Sequence, residues 1–169
     1  FDAVNHAFSS MATGGFSTEN GSVGQYGSAY VEWVTVFFMF IGGVNFSLLY
    51  YALKGKPGVF WQSDEFRVYL AICLVATGLA TVALWAPTSA VLPANTGDLT
   101  EPGITFAGLL DALRVAAFQV VAIITTTGFG TSDYEAWPAL GVGVLFLLFF
   151  VGGMAGSTSG GFKVLRHIL

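Results

Sequence analysis

The chain has 169 residues, of which 54% are hydrophobic, 15% aromatic and only 9% charged, with a net charge of −4 at pH 7. Soluble domains carry about 25% charged residues, and a short domain has a large surface to cover with polar groups. The composition therefore argues for a membrane-embedded chain, the alternative being a soluble all-α domain with an unusually apolar core. Cys73 is the single cysteine, so no internal disulfide is available, and no nucleic-acid partner is expected.

In chain order, the first predicted element is a short apolar stretch near Asp2 to Ala12. It suits a re-entrant helix better than a span. A Thr/Gly-rich segment, Ala12-Thr13-Gly14-Gly15-Phe16-Ser17-Thr18, follows. The run from Trp33 to Leu53 is uncharged and long enough to cross a bilayer. A second span runs from Val68 to about Pro87. Pro87, Pro93, Pro102 and the turn signal Asn95-Thr96-Gly97 then mark an outer connection. A second short apolar stretch lies near Phe106 to Ile124 and contains Asp111 and Arg114. Its own Thr/Gly segment is Thr125-Thr126-Thr127-Gly128-Phe129-Gly130-Thr131. A third span is uncharged from Ala136 to Phe162, with glycines crowding its second half. Phe1 starts in mid-pattern and Leu169 ends in mid-helix, so the chain reads as a piece of a longer polypeptide.

Basic residues set the orientation. Lys54, Lys56 and Arg67 flank the link between the first two spans, and Lys163 and Arg166 follow the third. Five of the six basic residues thus fall on one side, the cytoplasmic one. Glu19, Glu32, Asp98, Glu101, Asp133 and Glu135 collect on the other, where they are expected to raise the local cation concentration or simply to form a solvated rim. Trp33, Trp85 and Trp137 stand at the outer ends of the spans, where indole rings favour the interface.

The chain repeats itself. Phe40-Ile41-Gly42-Gly43-Val44-Asn45-Phe46-Ser47 matches Phe150-Val151-Gly152-Gly153-Met154-Ala155-Gly156-Ser157, Thr13-Gly14-Gly15-Phe16 matches Thr126-Thr127-Gly128-Phe129, and Asp2-Ala3 matches Asp111-Ala112. The period of about 110 residues is too long for a solenoid unit. It suits an outer helix, a pore loop and an inner helix, with the first copy lacking its outer helix. Irregular backbone at membrane depth is tolerated only where protein buries it or water wets it. Glycine allows positive φ, so consecutive carbonyls can replace the hydration shell of a cation. Phe16 and Phe129 would wedge each loop against its neighbours. Asp2 and Asp111 lie at the positive ends of the short helices, leaving the negative C-terminal ends to face a cation inside the membrane. The alternatives are plain turns, and a phosphate cradle, for which neither loop has the required strand and Lys-Ser or Lys-Thr.

The segments 12–18 and 125–131, with Gly-Gly-Met-Ala-Gly-Ser-Thr-Ser-Gly-Gly-Phe-Lys-Val at 152–164, resemble the TrkH branch of the Trk/Ktr/HKT superfamily of bacterial potassium uptake proteins. The resemblance covers nearly the whole chain. It implies an all-α membrane protein built of helix–pore loop–helix repeats, as a fragment of a four-repeat architecture. Residues 1–56 would be the pore helix, filter loop and inner helix of the second repeat, 57–65 a cytoplasmic link, and 66–169 the third repeat up to part of its broken inner helix. Thr13, Gly14, Gly15, Phe16 and Ser17, with Thr126, Thr127, Gly128, Phe129 and Gly130, would be the potassium-binding filter residues. Gly153, Gly156, Ser157, Thr158, Ser159, Gly160 and Gly161 would form an intramembrane gate loop. Potassium is the implied substrate, with no cofactor in the chain and no metal besides potassium. The implied partners are membrane lipid, the other two repeats of the same polypeptide, a second copy in a homodimer, and a cytoplasmic nucleotide-binding regulatory protein of the TrkA type. The implied location is the bacterial inner membrane.

Three further functions compete. A sodium- or proton-coupled symporter calls for an ionisable residue inside the membrane, and the central stretches of the spans have none. Asn45, polar and at span depth, is expected to bond a neighbouring helix. A membrane-embedded enzyme needs a nucleophile–base set or metal ligands, but His6 and His167 are predicted toward opposite faces and carry no assigned role. A membrane-embedded structural subunit is the third. The two copies part after Gly43 and Gly153. Val44 to Tyr51 is expected to continue as an unbroken helix, whereas Met154 to Gly161 should break, since each Gly costs a helix interior about 1 kcal/mol relative to Ala. The alternative for the second is helix packing of the Gly-x-x-x-Gly kind, which Gly152 to Gly156 formally matches. Lys163 and Arg166 are placed just inside the cytoplasmic face.

Overall fold

The computed structural model describes residues 1–85 and 108–168. The expected turn at Asn95-Thr96-Gly97, the prolines Pro87, Pro93 and Pro102, and the acids Asp98 and Glu101 lie outside the described residues. Within them, helix is the only regular secondary structure: α1 (Asp2–Met11), α2 (Ala29–Gly42), α3 (Phe46–Leu53), α4 (Val59–Gln62), α5 (Asp64–Trp85), α6 (Leu109–Ile124), α7 (Ala139–Leu148) and α8 (Val164–Ile168), with 3₁₀ turns at Ser22–Tyr26 and Tyr134–Ala136.

Among the described residues, α5 is the one helix long and apolar enough to cross a membrane. Its 22 residues rise about 33 Å at 1.5 Å per residue, close to the hydrocarbon thickness of a bilayer. Its packing is inverted relative to a soluble helix. Cys73, Ala76, Ala80 and Ala83 are buried, whereas Leu74, Val75, Leu79 and Val82 are exposed. Small residues let helix backbones approach closely, and the large apolar side chains are left on the outer side of the packed helices.

The small-residue face of α5 packs along α6. α6 is buried continuously from Val115 to Ile124, a stretch whose one polar side chain is Gln119, as expected of a helix surrounded by protein. α2 and α7 also pack on it. α6 therefore holds its own C-terminal loop at the centre of the molecule. α1 is the shorter counterpart in the first copy, and packs on α2.

The run from Trp33 to Leu53 is not one helix. α2 and α3 meet at 106° across the break at Gly43-Val44-Asn45, contrary to the unbroken helix expected there. Side-chain chemistry and tertiary contact explain the difference. Asn45 Oδ1 accepts from Ser47 N at 2.8 Å and so caps α3, where Asn is among the preferred residues. It bonds its own helix, not the neighbouring one expected. A Cβ on Gly43 would overlap the buried Tyr69 hydroxyl and come within 2.8 Å of Thr125 Cγ2. Tyr69 stacks on Phe40 and donates to its carbonyl at 3.2 Å.

The third span also breaks, and sooner than its sequence suggests. α7 ends at Leu148, after which Phe149, Phe150 and Val151 each bond three residues back, to Phe146, Leu147 and Leu148. This is the tightened last turn common at helix ends. Residues 152–163 are irregular. Gly152 and Gly156 are therefore not on a helix, which excludes the Gly-x-x-x-Gly helix contact.

Two expectations for the outer side change. Glu32 is buried, with its Oε2 3.1 Å from Arg114 Nε, and Arg114 also pairs with Asp111 at 3.3 Å. Glu32 is thus no part of an exposed acidic rim, and Arg114, the basic residue outside the orientation pattern, has its counter-charge. Trp33 and Trp85 are exposed as interfacial residues should be, but Trp137 is buried in the core shared by α5, α6 and α7, because its ring packs over Gly141.

Candidate filter and gate region

α1 and α6 end in the same way. Thr13 N donates to Ser10 O and Gly14 N to Ser9 O; Thr126 N donates to Ile123 O and Thr127 N to Ala122 O. Each pair is the double hydrogen bond of a Schellman cap, which satisfies two orphan carbonyls and requires a left-handed residue after the C-cap. Glycine usually fills that position, but here it is threonine: φ is 49° at Thr13 and 56° at Thr126. A β-branched residue is a genuine outlier in that region, at a cost of about 1–3 kcal/mol. Two residues on, Gly15 (φ 69°) and Gly128 (φ 79°) are also left-handed, which glycine adopts freely. The sign of φ thus alternates along both Thr-Gly segments, a backbone that can turn successive carbonyls toward one side.

The two loops touch. A Cβ on Gly15 would overlap the Thr127 carbonyl oxygen, whereas one on Gly128 meets nothing within 4 Å among the described residues. Phe16 is 75% exposed and Phe129 only 1%, so the expected wedge forms for Phe129 alone within this chain. Phe129 packs with Val23, Val36 and Met39 of the first copy. Gly130 is tied to the first copy as well: it donates to Ser22 Oγ at 3.2 Å and accepts from Gly24 N at 3.1 Å. In the first loop, Asn5 Nδ2 donates to Phe16 O at 3.2 Å, and His6 Nε2 lies 3.0 Å from Ser17 Oγ. Hydroxyls are held locally: Thr13 Oγ1 donates to Ala12 O, and Thr125 Oγ1 bonds Val121 O and Thr127 Oγ1.

Residues 152–164 form a closed loop whose neck is two backbone bonds, Gly152 N to Phe162 O at 2.7 Å and Val164 N to Gly153 O at 3.1 Å. Its tip reaches both short helices. Thr158 Oγ1 donates to Met11 O at 2.9 Å, and Gly160 N donates to Thr126 Oγ1 at 2.6 Å. The loop also answers the break between α2 and α3. Met154 N donates to Gly43 O, Thr158 N to Gly42 O, and Phe46 N to Gly156 O. Each break thus satisfies backbone groups that the other frees. Gly153 sits where a side chain would strike Ser159 and come within 2.9 Å of Gly43 O.

Two charges hold this loop. Lys163 Nζ turns back into it, donating to the Ser159 carbonyl with the Ser157 and Ser159 hydroxyls each at 3.3 Å. It is thus engaged with the loop rather than free at the cytoplasmic face. Glu65, in the first turn of α5, accepts from Ala155 N at 2.6 Å. Glu65, His6, Asn5 and Ser22 were not legible as parts of this region. Asp64-Glu65 reads as ordinary first-turn acids of a helix, with no local sign of a partner 90 residues away. His167 lies apart, its Nε2 3.2 Å from Phe150 O. No cluster of metal-ligating His, Cys, Asp or Glu occurs among the described residues.

Comparison with known proteins agrees with this architecture. The chain matches the model of a family described as TrkH, cation transport protein, over residues 1–168. It is 35% identical to the Trk system potassium uptake protein TrkH of Salmonella typhimurium and 38% identical to that of Halomonas elongata, in each case over the whole chain and 32% of the relative. It therefore spans about a third of the length of these relatives. The crystal structure of the potassium transporter TrkH from Vibrio parahaemolyticus superposes with a TM-score of 0.84 at 34% identity, covering 99% of this chain and 33% of that one. With that fold, two copies of a helix–loop–helix unit and a family match along its length, the chain belongs to the TrkH cation transport protein family.

Proposed function

We propose that this chain supplies two of four pore loops to a protein that takes up potassium across a bacterial inner membrane, and that its 152–164 loop gates the path. In this reading Thr13 to Ser17 and Thr126 to Gly130 line the ion path, and residues 1–56 and 66–169 belong to consecutive repeats. The remaining repeats, a second copy in a homodimer and a cytoplasmic nucleotide-binding regulator complete the assembly. The observation that carries the reading is the alternation of φ at matching positions of both loops, with the tip of the 152–164 loop bonded to Met11 and Thr126 where the loops leave their helices. Carbonyls so arranged can replace a hydration shell, and the negative ends of α1 and α6 favour a cation there. The relatives' names, potassium uptake proteins of the Trk system, support the same substrate. A coupled symporter finds less support, because the buried Glu32 is paired with the half-buried Arg114.

The test uses the full-length protein in proteoliposomes. Gly128→Ser should narrow the preference for potassium over sodium, because it disturbs a backbone that only glycine adopts without strain. An unchanged permeability ratio in a well-folded variant rejects the filter. Deleting Gly156 to Gly160 should raise potassium flux and weaken its dependence on the cytoplasmic regulator. Flux that stays low and fully regulator-dependent, in a variant that reaches the membrane intact, rejects the gate.

A further inference from the structure

His6 stands where four parts of the molecule meet. It lies on α1, behind the first Thr-Gly loop. Its Nδ1 is 2.8 Å from Asp2 O. A carbonyl only accepts, so Nδ1 carries a proton, and in the neutral form of the ring Nε2 then keeps its lone pair. The Ser17 hydroxyl, 3.0 Å from Nε2, is then the donor. Ser17 Oγ in turn accepts from Glu19 N at 3.1 Å. The chain of bonds therefore has one direction, from the Glu19 amide through Ser17 and the imidazole to the Asp2 carbonyl. The ring faces are also occupied. Tyr26, at the end of the first 3₁₀ turn, meets the ring edge-on at 5.6 Å, and Phe129 of the other loop lies 5.7 Å away at 30°.

The second copy has no equivalent. With Thr13 matched to Thr126, His6 falls opposite Gln119 and Ser17 opposite Gly130. Gly130 has no hydroxyl, and the buried Gln119 Oε1 has no hydrogen-bond partner among the described residues. The second loop is instead anchored by Ser22 and Gly24 of the first copy, on the 3₁₀ turn that ends at Tyr26 and so reaches the same imidazole. One ring thus fixes Ser17 by a hydrogen bond and braces Phe129 by contact.

We propose that His6 is a positioning residue for ion selectivity, holding the outward limbs of both Thr-Gly loops in register through Ser17 and Phe129. It touches no ion itself. The proposal rests on the filter reading above.

The experiment measures the potassium-to-sodium permeability ratio of the full-length protein, alongside its folded yield and melting temperature. His6→Phe keeps a ring against Phe129 and removes both hydrogen bonds; Ser17→Ala removes the partner; His6→Gln offers Ser17 a new acceptor. A hydrogen bond contributes about 0.5–1.5 kcal/mol net, so His6→Phe and Ser17→Ala should each lower the ratio about 2- to 10-fold. The double variant should fall no further than either single one, and His6→Gln should recover most of the loss. A packing role alone would lower yield and melting temperature without moving the ratio. Gly128→Ser is the control that separates the two proposals. If it shifts the ratio and neither His6→Phe nor Ser17→Ala does, His6 has no positioning role and the filter reading stands. If none of the three shifts it, the filter reading falls and this one with it. Additive losses in the double variant overturn the Ser17 link. Where His6→Phe does not fold, Ser17→Ala and His6→Gln decide by the same ratio.

Discussion

The loop after α1 and the loop after α6 leave their helices by the same pair of hydrogen bonds and the same left-handed threonine, yet they are supported differently. The first is held by side chains of its own helix, Asn5 and His6. The second is held by the first copy, through Ser22, Gly24 and the pocket around Phe129. The direction of support is consistent: the second copy's Phe wedges into the first, while the first copy's Gly15 abuts the second copy's Thr127 carbonyl. The open positions, Phe16 on one side and Gly128 on the other, are the matching halves of those two contacts. A ring of such units would close them, which is how a repeated unit with a directional interface behaves.

The largest expected effect tests that interlock. Gly15→Ala puts a methyl group into a backbone carbonyl at positive φ, with no flexible side chain to move aside, so folded yield and uptake should be lost entirely. Gly128→Ala meets only the strain of a left-handed alanine, about 1–2 kcal/mol, and should leave roughly a tenth of the activity. Equal damage in the full-length protein, by size-exclusion yield and rubidium uptake, would show that another limb fills the space beside Gly128.

Next comes the aromatic pair. Phe129→Ala should cost about 3–5 kcal/mol, the usual range for a buried Phe, and lower the melting temperature in detergent accordingly. Phe16→Ala should cost less than 1 kcal/mol if the exposure seen in this chain persists. A matching loss at Phe16 would show that residues outside this chain bury it.

The two helix breaks give a smaller contrast. Glu65→Ala removes a hydrogen bond to a charged group, about 1.5–3 kcal/mol, and frees the Ala155 end of the 152–164 loop. Potassium flux in the absence of the regulator should rise several-fold. Asn45→Ala removes a helix cap, about 1 kcal/mol, and should alter flux about twofold at most. Asn45→Ala outranking Glu65→Ala would locate control in the first copy's break.

The smallest effect belongs to the outer acids. Neutralising Glu19, Asp133 and Glu135, together with Asp98 and Glu101, should lower uptake at low ionic strength by a few-fold and hardly at all at physiological salt, where screening acts beyond about 8 Å. An equal fall at both salt levels removes steering as the cause.

Much of this molecule was legible one segment at a time. The length of the apolar run before Trp85 marks α5 as a span, the shorter runs before Thr13 and Thr126 mark α1 and α6, and the Thr-Gly segments mark the loops, because run length and residue type are local properties. The glycines and hydroxyl residues after Met154 likewise announce a break. The break at Gly43 was not legible, because Val44 to Tyr51 is a good helical sequence until the second copy supplies partners for Gly42, Gly43 and Phe46. Glu32 reads as an exposed acid until α6 brings Arg114 beside it, and Glu65 as a first-turn acid until the 152–164 loop descends to it. Thr158 bonds Met11 across 147 residues. Such partners are chosen by which buried polar group the fold leaves unsatisfied, and that is a property of the packed chain, settled only when the two copies close on each other.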